Sequence, residues 1–460
     1  MDDSVLEWCK RLVACRSVTN EGTREIVELC ARELLAPRGL GAQLLPSASE
    51  GGEHVNLIAR IKGRESDATP LVFNTHLDTV PAGELSLWTE CGGDPFAPVV
   101  KEGRIYGLGA ADTKLDFIAK AFALTATPSP RRDVYLVATF GEEHGMAGAR
   151  EMADSGMLPR NGLAFVGEAS HLQVITAHKG FVVYDLALGF TPQKLAEPAK
   201  AERIVIEGKS AHSSTPALGR NAIRIALESV WDNPRMQVAT IAGGDAVNKV
   251  PSRCEMIVAG GTAGTAADAS QAKIANGAEI DEVIPRETLM VLLRFIQELQ
   301  QFTDKAGQPE PDYAAPTLTC NPGVLRTDGD RLKLEFELRP PPSMAVDEVR
   351  DGVRRVLTKI EKDLNVSAEL TERRANPGFR SPLDSTTVEL AMGALAAAAL
   401  PLDVGVKAGC TEAGIYAAAG LHPVVFGPGI ATGIIHAPNE YNLIADIEGA
   451  IRFYTQLLAL

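Results

Sequence analysis

The chain has 460 residues, 45% of them hydrophobic, a mean hydropathy close to zero and a formal net charge of −14. That length implies about two or three domains, each able to bury a core. The acidic balance argues against nucleic acid or an acidic membrane as partner, and no apolar run of some 20 residues is present to span a bilayer. The acidic start Met1–Val5 is unlike a signal peptide. Seven scattered Cys with no Cys-x-x-Cys pair fit free thiols in a cytoplasmic compartment, not a disulfide frame or a thiolate zinc site.

In chain order, residues 3–15 and 22–36 read as helices, Val55–Ile61 as a strand and Leu71–Asn74 as a second, buried strand. A helix follows from Asp112 to Ala126, then a strand at Asp133–Thr139, a helix at Ala147–Ser155 and a short strand at Leu163–Val166. This alternation predicts an α/β layer around a largely parallel sheet flanked by helices. Near Gly180 the texture changes. Strands are expected at Phe181–Leu188, Arg203–Glu207, Gln237–Ala242, Arg253–Ala259 and Leu332–Leu338, with helices at Ala217–Trp231, Arg286–Phe302 and Val346–Lys362. The Ala-, Gly- and Thr-rich stretch Gly260–Ala278 reads as loop, and Gly307–Pro316 as a connector. From about residue 372 the first texture resumes, with a helix at Val388–Ala399, a strand at Pro423–Phe426 and a helix at Leu443–Leu460. The expectation is a discontinuous domain, 1–180 and 372–460, carrying an inserted α+β domain, 181–371.

Chemistry-bearing residues fall at strand exits and loops of the first pattern. His76 and Asp78 share one face of an extended chain, so an imidazole ligand can sit beside a carboxylate that orients it. Asp112 stands where a loop meets a helix, and a plain N-cap explains it equally well. Glu142 and Glu143 follow a strand, as does Glu168; a solvated loop is the plain alternative for the Glu pair. His436 follows the Gly-rich Phe426–Gly429. His212 lies in the inserted unit. Two His and three carboxylates suit two divalent ions, with an Asp bridge holding them about 3.5–4 Å apart. Of adjacent glutamates, one can then bind metal while the other moves a proton.

These segments, taken in order, resemble the two-zinc amidohydrolase and exopeptidase family of acetylornithine deacetylase, succinyl-diaminopimelate desuccinylase, aminoacylase and glutamate carboxypeptidase. The resemblance runs through Thr75–Pro81, Trp88 with Asp94–Phe96, Tyr106–Gly109 with Asp112 and Lys114, and Gly141–Glu143. It continues through Gly167–Glu168, Ala177–Gly180, Gly208–Ser214, Gly219–Ile223, Cys410–Ala413, Phe426–Gly429 and His436–Glu440. It implies that His76 and Glu168 bind one zinc, Glu143 and His436 the other, and that Asp112 bridges them. It implies that Asp78 orients His76, that Glu142 is the general base, and that His212 polarises the scissile carbonyl in a partner subunit. The inserted domain would be a ferredoxin-like dimerisation lid, and the functional unit a homodimer.

Two zinc ions are implied as cofactors, though cobalt or manganese suits the same donors. Asn248 resembles a substrate-facing loop residue and Arg339 a substrate-carboxylate ligand, with Arg253 as the alternative. The substrate implied is an N-acyl amino acid, alternatively a short peptide cleaved by a carboxypeptidase or dipeptidase; a non-catalytic dimeric scaffold is the minor alternative. One departure stands out: the family often has Lys-Gly-Gly after the bridging Asp, and here Leu115 and Asp116 follow Lys114. Asp116 reads first as a plain solvent-facing residue, with a further acid near the site as the alternative.

Overall fold

The computed structural model describes residues 1–65, 67–260, 269–273 and 278–460, with residues 269–273 as backbone only. The chain divides into two compact units, one built from Met1–His178 and Phe379–Leu460, the other from Lys179–Gly378.

The first unit is organised by a mixed sheet. Its order, edge to edge, is Ala42–Pro46, Val55–Ile61, Val134–Thr139, Leu71–His76, Leu163–Gly167, His422–Val425, Val174–His178 and Phe379–Arg380; Val404–Lys407 pairs beside Val174–His178. The central strands run parallel, from Val134–Thr139 through Leu71–His76 and Leu163–Gly167 to His422–Val425. The flanks turn antiparallel. All six residues of Leu71–His76 are buried, as a central strand covered on both faces requires.

Alternation then sorts its side chains. Leu71 and Phe73 join a core with the helices Asp3–Ala14, Lys114–Ala126, Thr386–Ala397 and Ile444–Ala459. Val72 joins a second core with Met146, Ala149, Met152, Ala413 and Tyr416. Asn74 and His76 share the Val72 side, and Thr75 the opposite side.

The second unit has its own core and an antiparallel sheet. Among the described residues the order is Ala269–Lys273, Gln193–Glu207, Arg253–Ala259, Val238–Gly243, Thr319–Asp328, Arg331–Arg339, Phe181–Gly189 and Ala368–Asn376. The helices Ala222–Asp232, Arg286–Lys305 and Val346–Leu364 pack against it.

Several expected elements shift for identifiable reasons. The 217–231 helix begins at Ala222 because Asn221 caps it, its side-chain oxygen accepting from the N–H groups of Ile223 and Arg224. The 22–36 helix is α-helical only over Arg24–Leu29 and then widens into a π-helical stretch, Cys30–Leu35. The expected 260–278 loop contains the strand Ala269–Lys273, paired with Gln193–Glu207; 261–268 and 274–277 lie outside the described residues. The strand Ala368–Asn376 pairs with Phe181–Gly189, which carries the second unit on to Gly378, beyond the boundary expected near 372.

Candidate metal centre

Parallel strands bring their carboxyl ends to one edge, where open α/β sheets place their sites. His76 ends the Leu71–His76 strand and pairs with Thr139, while Thr75 pairs with Gly167. The three adjacent strands therefore stop level. The central one delivers His76 and Asp78. Its neighbours deliver Glu142 and Glu143 on one side and Glu168 on the other.

Asp112 joins the two halves of the site. Its Oδ1 lies 3.1 Å from His76 Nε2 and its Oδ2 3.1 Å from His436 Nε2. Glu143 stands 3.1 Å from the same His436 nitrogen. The N-cap alternative for Asp112 fails, because Thr113 is the N-cap of the Lys114–Ala126 helix and its side chain makes no capping bond. Two groups result: His76, Glu142 and Glu168, and Asp112, Glu143 and His436, each with donor atoms within 4.8 Å of one another. Imidazole nitrogen and carboxylate oxygen are the donors that borderline divalent ions take, so the residues fit two metal ions.

The electrostatics agree. Burial pulls the His436 imidazole down, but Asp112 and Glu143 outweigh it and hold its pKa up at about 11. Burial likewise opposes ionisation of Asp112, yet His436 and His76 hold it well below the usual carboxylate range. Such a field attracts cations. His436 also keeps a left-handed backbone, φ 57°, uncommon for a non-glycine residue and typical of a side chain held in place for function.

Asp78 is buried and ties the cluster together. His76 Nδ1 lies 3.1 Å from the Asp78 carbonyl oxygen and 3.6 Å from its Oδ1. The Thr19 hydroxyl donates to Asp78 Oδ2 at 2.7 Å, and the N–H groups of Glu142 and Glu143 point at the same carboxylate at 3.2 and 3.4 Å. The Asp78 carboxylate thus meets the backbone of the Glu pair as well as the histidine.

Four residues near the site were not anticipated in these roles. Lys407 places its ammonium 2.7 Å from Glu168 Oε2. Thr19 supports Asp78. Glu440, whose pKa burial raises to about 8, accepts the N–H groups of Ala111 and Asp112 at 2.9 and 3.1 Å. Asp116 is wholly buried, not solvent-facing, and ion-pairs with Lys120 at 2.6 Å. Helical spacing gives the reason: Asp116 and Lys120 lie at i and i+4, on one face, and that face packs against the sheet.

The other expected residues gather in the second unit. The loop at His212 forms a bridge with Lys249, and the Ser213 N–H donates to the carbonyl oxygen of Asn248 at 3.2 Å. Arg339 reaches Ser213 Oγ at 3.2 Å and is buried, its Nε donating to Glu337 Oε1 at 2.7 Å. A carboxylate arriving at Arg339 would share the guanidinium with Glu337. Arg253, the alternative, is paired with Glu255. His212 Nδ1 accepts from the Ser214 N–H at 3.1 Å, so the neutral ring carries its proton on Nε2. Burial and the nearby Arg339 charge lower its pKa.

A family model described as peptidase family M20/M25/M40 matches residues 72–460. The chain belongs to this family. Acetylornithine deacetylase of Proteus mirabilis (strain HI4320) is 32% identical over 279 residues, 55% of this chain and 65% of that protein. The chain thus spans just under two thirds of that curated relative's length. Aminoacylhistidine dipeptidase from Vibrio alginolyticus shares the fold with a TM-score of 0.69 at 14% identity, over 99% of this chain and 96% of that one. An M20 family metallo-carboxypeptidase from Sulfolobus solfataricus does so with a TM-score of 0.63 at 17% identity, over 100% and 99%.

Proposed function

We propose that this M20 chain is a two-metal hydrolase of an amide C–N bond, releasing an amino acid from its N-acyl derivative. The carrying observation is Asp112, whose two carboxylate oxygens face two different histidines. His76 and Glu168 would hold one ion, His436 and Glu143 the other, with Asp112 shared; zinc fits these donors first, cobalt or manganese next. When bound, the pair supplies an acidified water and Lewis-acid polarisation of the scissile carbonyl.

The chain's own residues do the rest. Glu142 is buried beside Glu168 and His76. It takes the proton of the attacking water and returns it to the leaving nitrogen. Asp78 holds the Glu142 backbone in register. His212, as the Nε2–H tautomer, donates to the carbonyl oxygen as negative charge develops there, and the family resemblance assigns it to a partner subunit's site. Asn248, exposed on the loop beside His212, would contact the substrate; Arg339 would act together with Glu337. Exposed Leu218 and Trp231 in the second unit support a homodimer formed through it. Seven free Cys support a cytoplasmic setting, and no helix among the described residues is long and apolar enough to cross a membrane.

A dipeptidase or carboxypeptidase is the second reading, favoured by the solved structures that share the fold. One assay separates the two: amine release over N-acetyl, N-succinyl and N-formyl amino acids and dipeptides, with zinc and cobalt compared. Turnover of acyl amino acids at two ions per chain is expected. Dipeptide turnover alone transfers the assignment to the second reading, and turnover indifferent to chelation ends both.

A further inference from the structure

Beneath the metal centre lies an ion pair that the proposed chemistry does not use. Asp116 and Lys120 are both fully buried, with Oδ2 and Nζ 2.6 Å apart. Burying two charges is costly, and apolar replacements of such pairs are often neutral or stabilising. Stability alone is therefore a poor reason for this pair to exist.

Its contacts give a better one. Lys120 Nζ donates to the carbonyl oxygens of Asn74 and Phe165 at 2.6 and 3.2 Å, and lies 3.0 Å from Thr75 Oγ1. The Thr75 hydroxyl donates to Asp116 Oδ2 at 2.6 Å, and the Tyr454 hydroxyl to Asp116 Oδ1 at 2.6 Å. Asn74 and Thr75 lead directly into His76. Phe165 lies just upstream of Glu168 on the adjacent strand. The ammonium thus staples together the two strands that deliver the two ligands of one metal position.

Gly167, between Phe165 and Glu168, completes the fit. A Cβ there would stand 2.0 Å from Asp116 Oδ2, and a Cβ at Gly427 would stand 3.2 Å from Oδ1. Asp116 packs against bare backbone on both sides, and Gly167 is needed for that close approach, not for unusual torsions. None of the pair's contacts reaches Glu143 or His436.

We propose that the Asp116–Lys120 pair is a positioning unit for the His76–Glu168 metal position alone, setting its affinity independently of the His436–Glu143 position. This rests on the two-metal reading above.

The test uses the full chain and cobalt ion as probe, followed by calorimetric titration and by the visible d–d spectrum. The wild type should bind two cobalt ions; if it binds none, the two-metal reading itself fails before any variant is made. D116N/K120M removes both charges and both cross-strand bonds. It should keep a near-wild-type melting temperature and one unchanged cobalt site, while the other weakens about 10- to 100-fold, the usual reach of groups behind a metal ligand. T75V, which alters no charge, should weaken the same site by a smaller factor and T75S should restore it; this pair decides the matter if the double variant does not fold. Two unchanged sites in the folded variants, or equal loss at both, overturns the proposal and leaves the pair a structural element only.

Discussion

Glu142 and Glu143 are neighbours in sequence with different surroundings. Glu143 meets His436, and Glu142 lies with His76 and Glu168. Glu142→Gln removes the base and keeps the shape, so metal content should stay at wild-type level while kcat falls by about 10²- to 10⁴-fold; metal analysis beside steady-state rates checks both halves. His76→Ala and Asp78→Asn should part company in the same experiment. The first loses an ion, whereas the second keeps both and loses rate, because Asp78 meets the Glu pair's backbone through Oδ1 and Oδ2. The metal-ligand candidates were legible because each sits in a short, ordered motif with strand or glycine context. Lys407 was not: it reaches Glu168 across 239 residues of sequence, and nothing local marks a lysine on a short strand as facing a carboxylate. Asp116 was misread for a related reason, since a charged residue in a helix pattern is ordinarily solvated and only the sheet behind it shows otherwise.

At the scale of the strand, one face of Leu71–His76 carries a second polar cluster. Asn74 Nδ2 and the Thr139 hydroxyl donate to Glu412 Oε2 at 2.7 and 2.8 Å. Glu412 Oε1 is buried with no hydrogen-bond partner among the described residues. Burial raises the Glu412 pKa from 4.5 to about 7. Between those pH values the folded state keeps a proton that the unfolded chain has lost. Stability from this group therefore falls as pH rises through the window, and the full penalty is present above about 7. Glu412→Gln keeps an oxygen for Asn74 and Thr139 and cannot ionise. Its stability relative to wild type should improve on going from pH 4.5 to pH 7, by on the order of 2–3 kcal/mol. Parallel denaturant titrations at the two pH values check this, and an unchanged difference would mean Glu412 ionises freely. Many of the strands and helices were readable from periodicity. Among those missed were Val174–His178, Val404–Lys407, Glu279–Val283, Ala42–Pro46, the first half of Gln193–Glu207, and Ala368–Asn376. The last two are rich in charged and polar residues and are exposed or half-buried over nearly all their length, so they are set by pairing with a neighbour and not by their own pattern.

At the scale of the molecule, the candidate metal donors all lie in the discontinuous unit, and the segment Lys179–Gly378 is continuous. Every strand of the second sheet lies inside that segment, and so does its apolar core, from Val182 and Tyr184 to Val356 and Ile360. A core closed within one stretch of chain is what independent folding requires. Residues 179–378 expressed alone should therefore unfold cooperatively on heating, with an antiparallel-β and helix circular dichroism spectrum, and should bind no cobalt. The full chain should behave differently towards metal. Ions bound only by the folded first unit stabilise it by mass action, by about 2.7 kcal/mol when free metal is a hundredfold above its Kd. A chelator should then lower the full chain's melting temperature and leave that of the 179–378 fragment unmoved. A fragment without a cooperative transition would show that the second core depends on the first. A chelator that shifts both melting temperatures equally would show that metal acts outside the site built on Asp112.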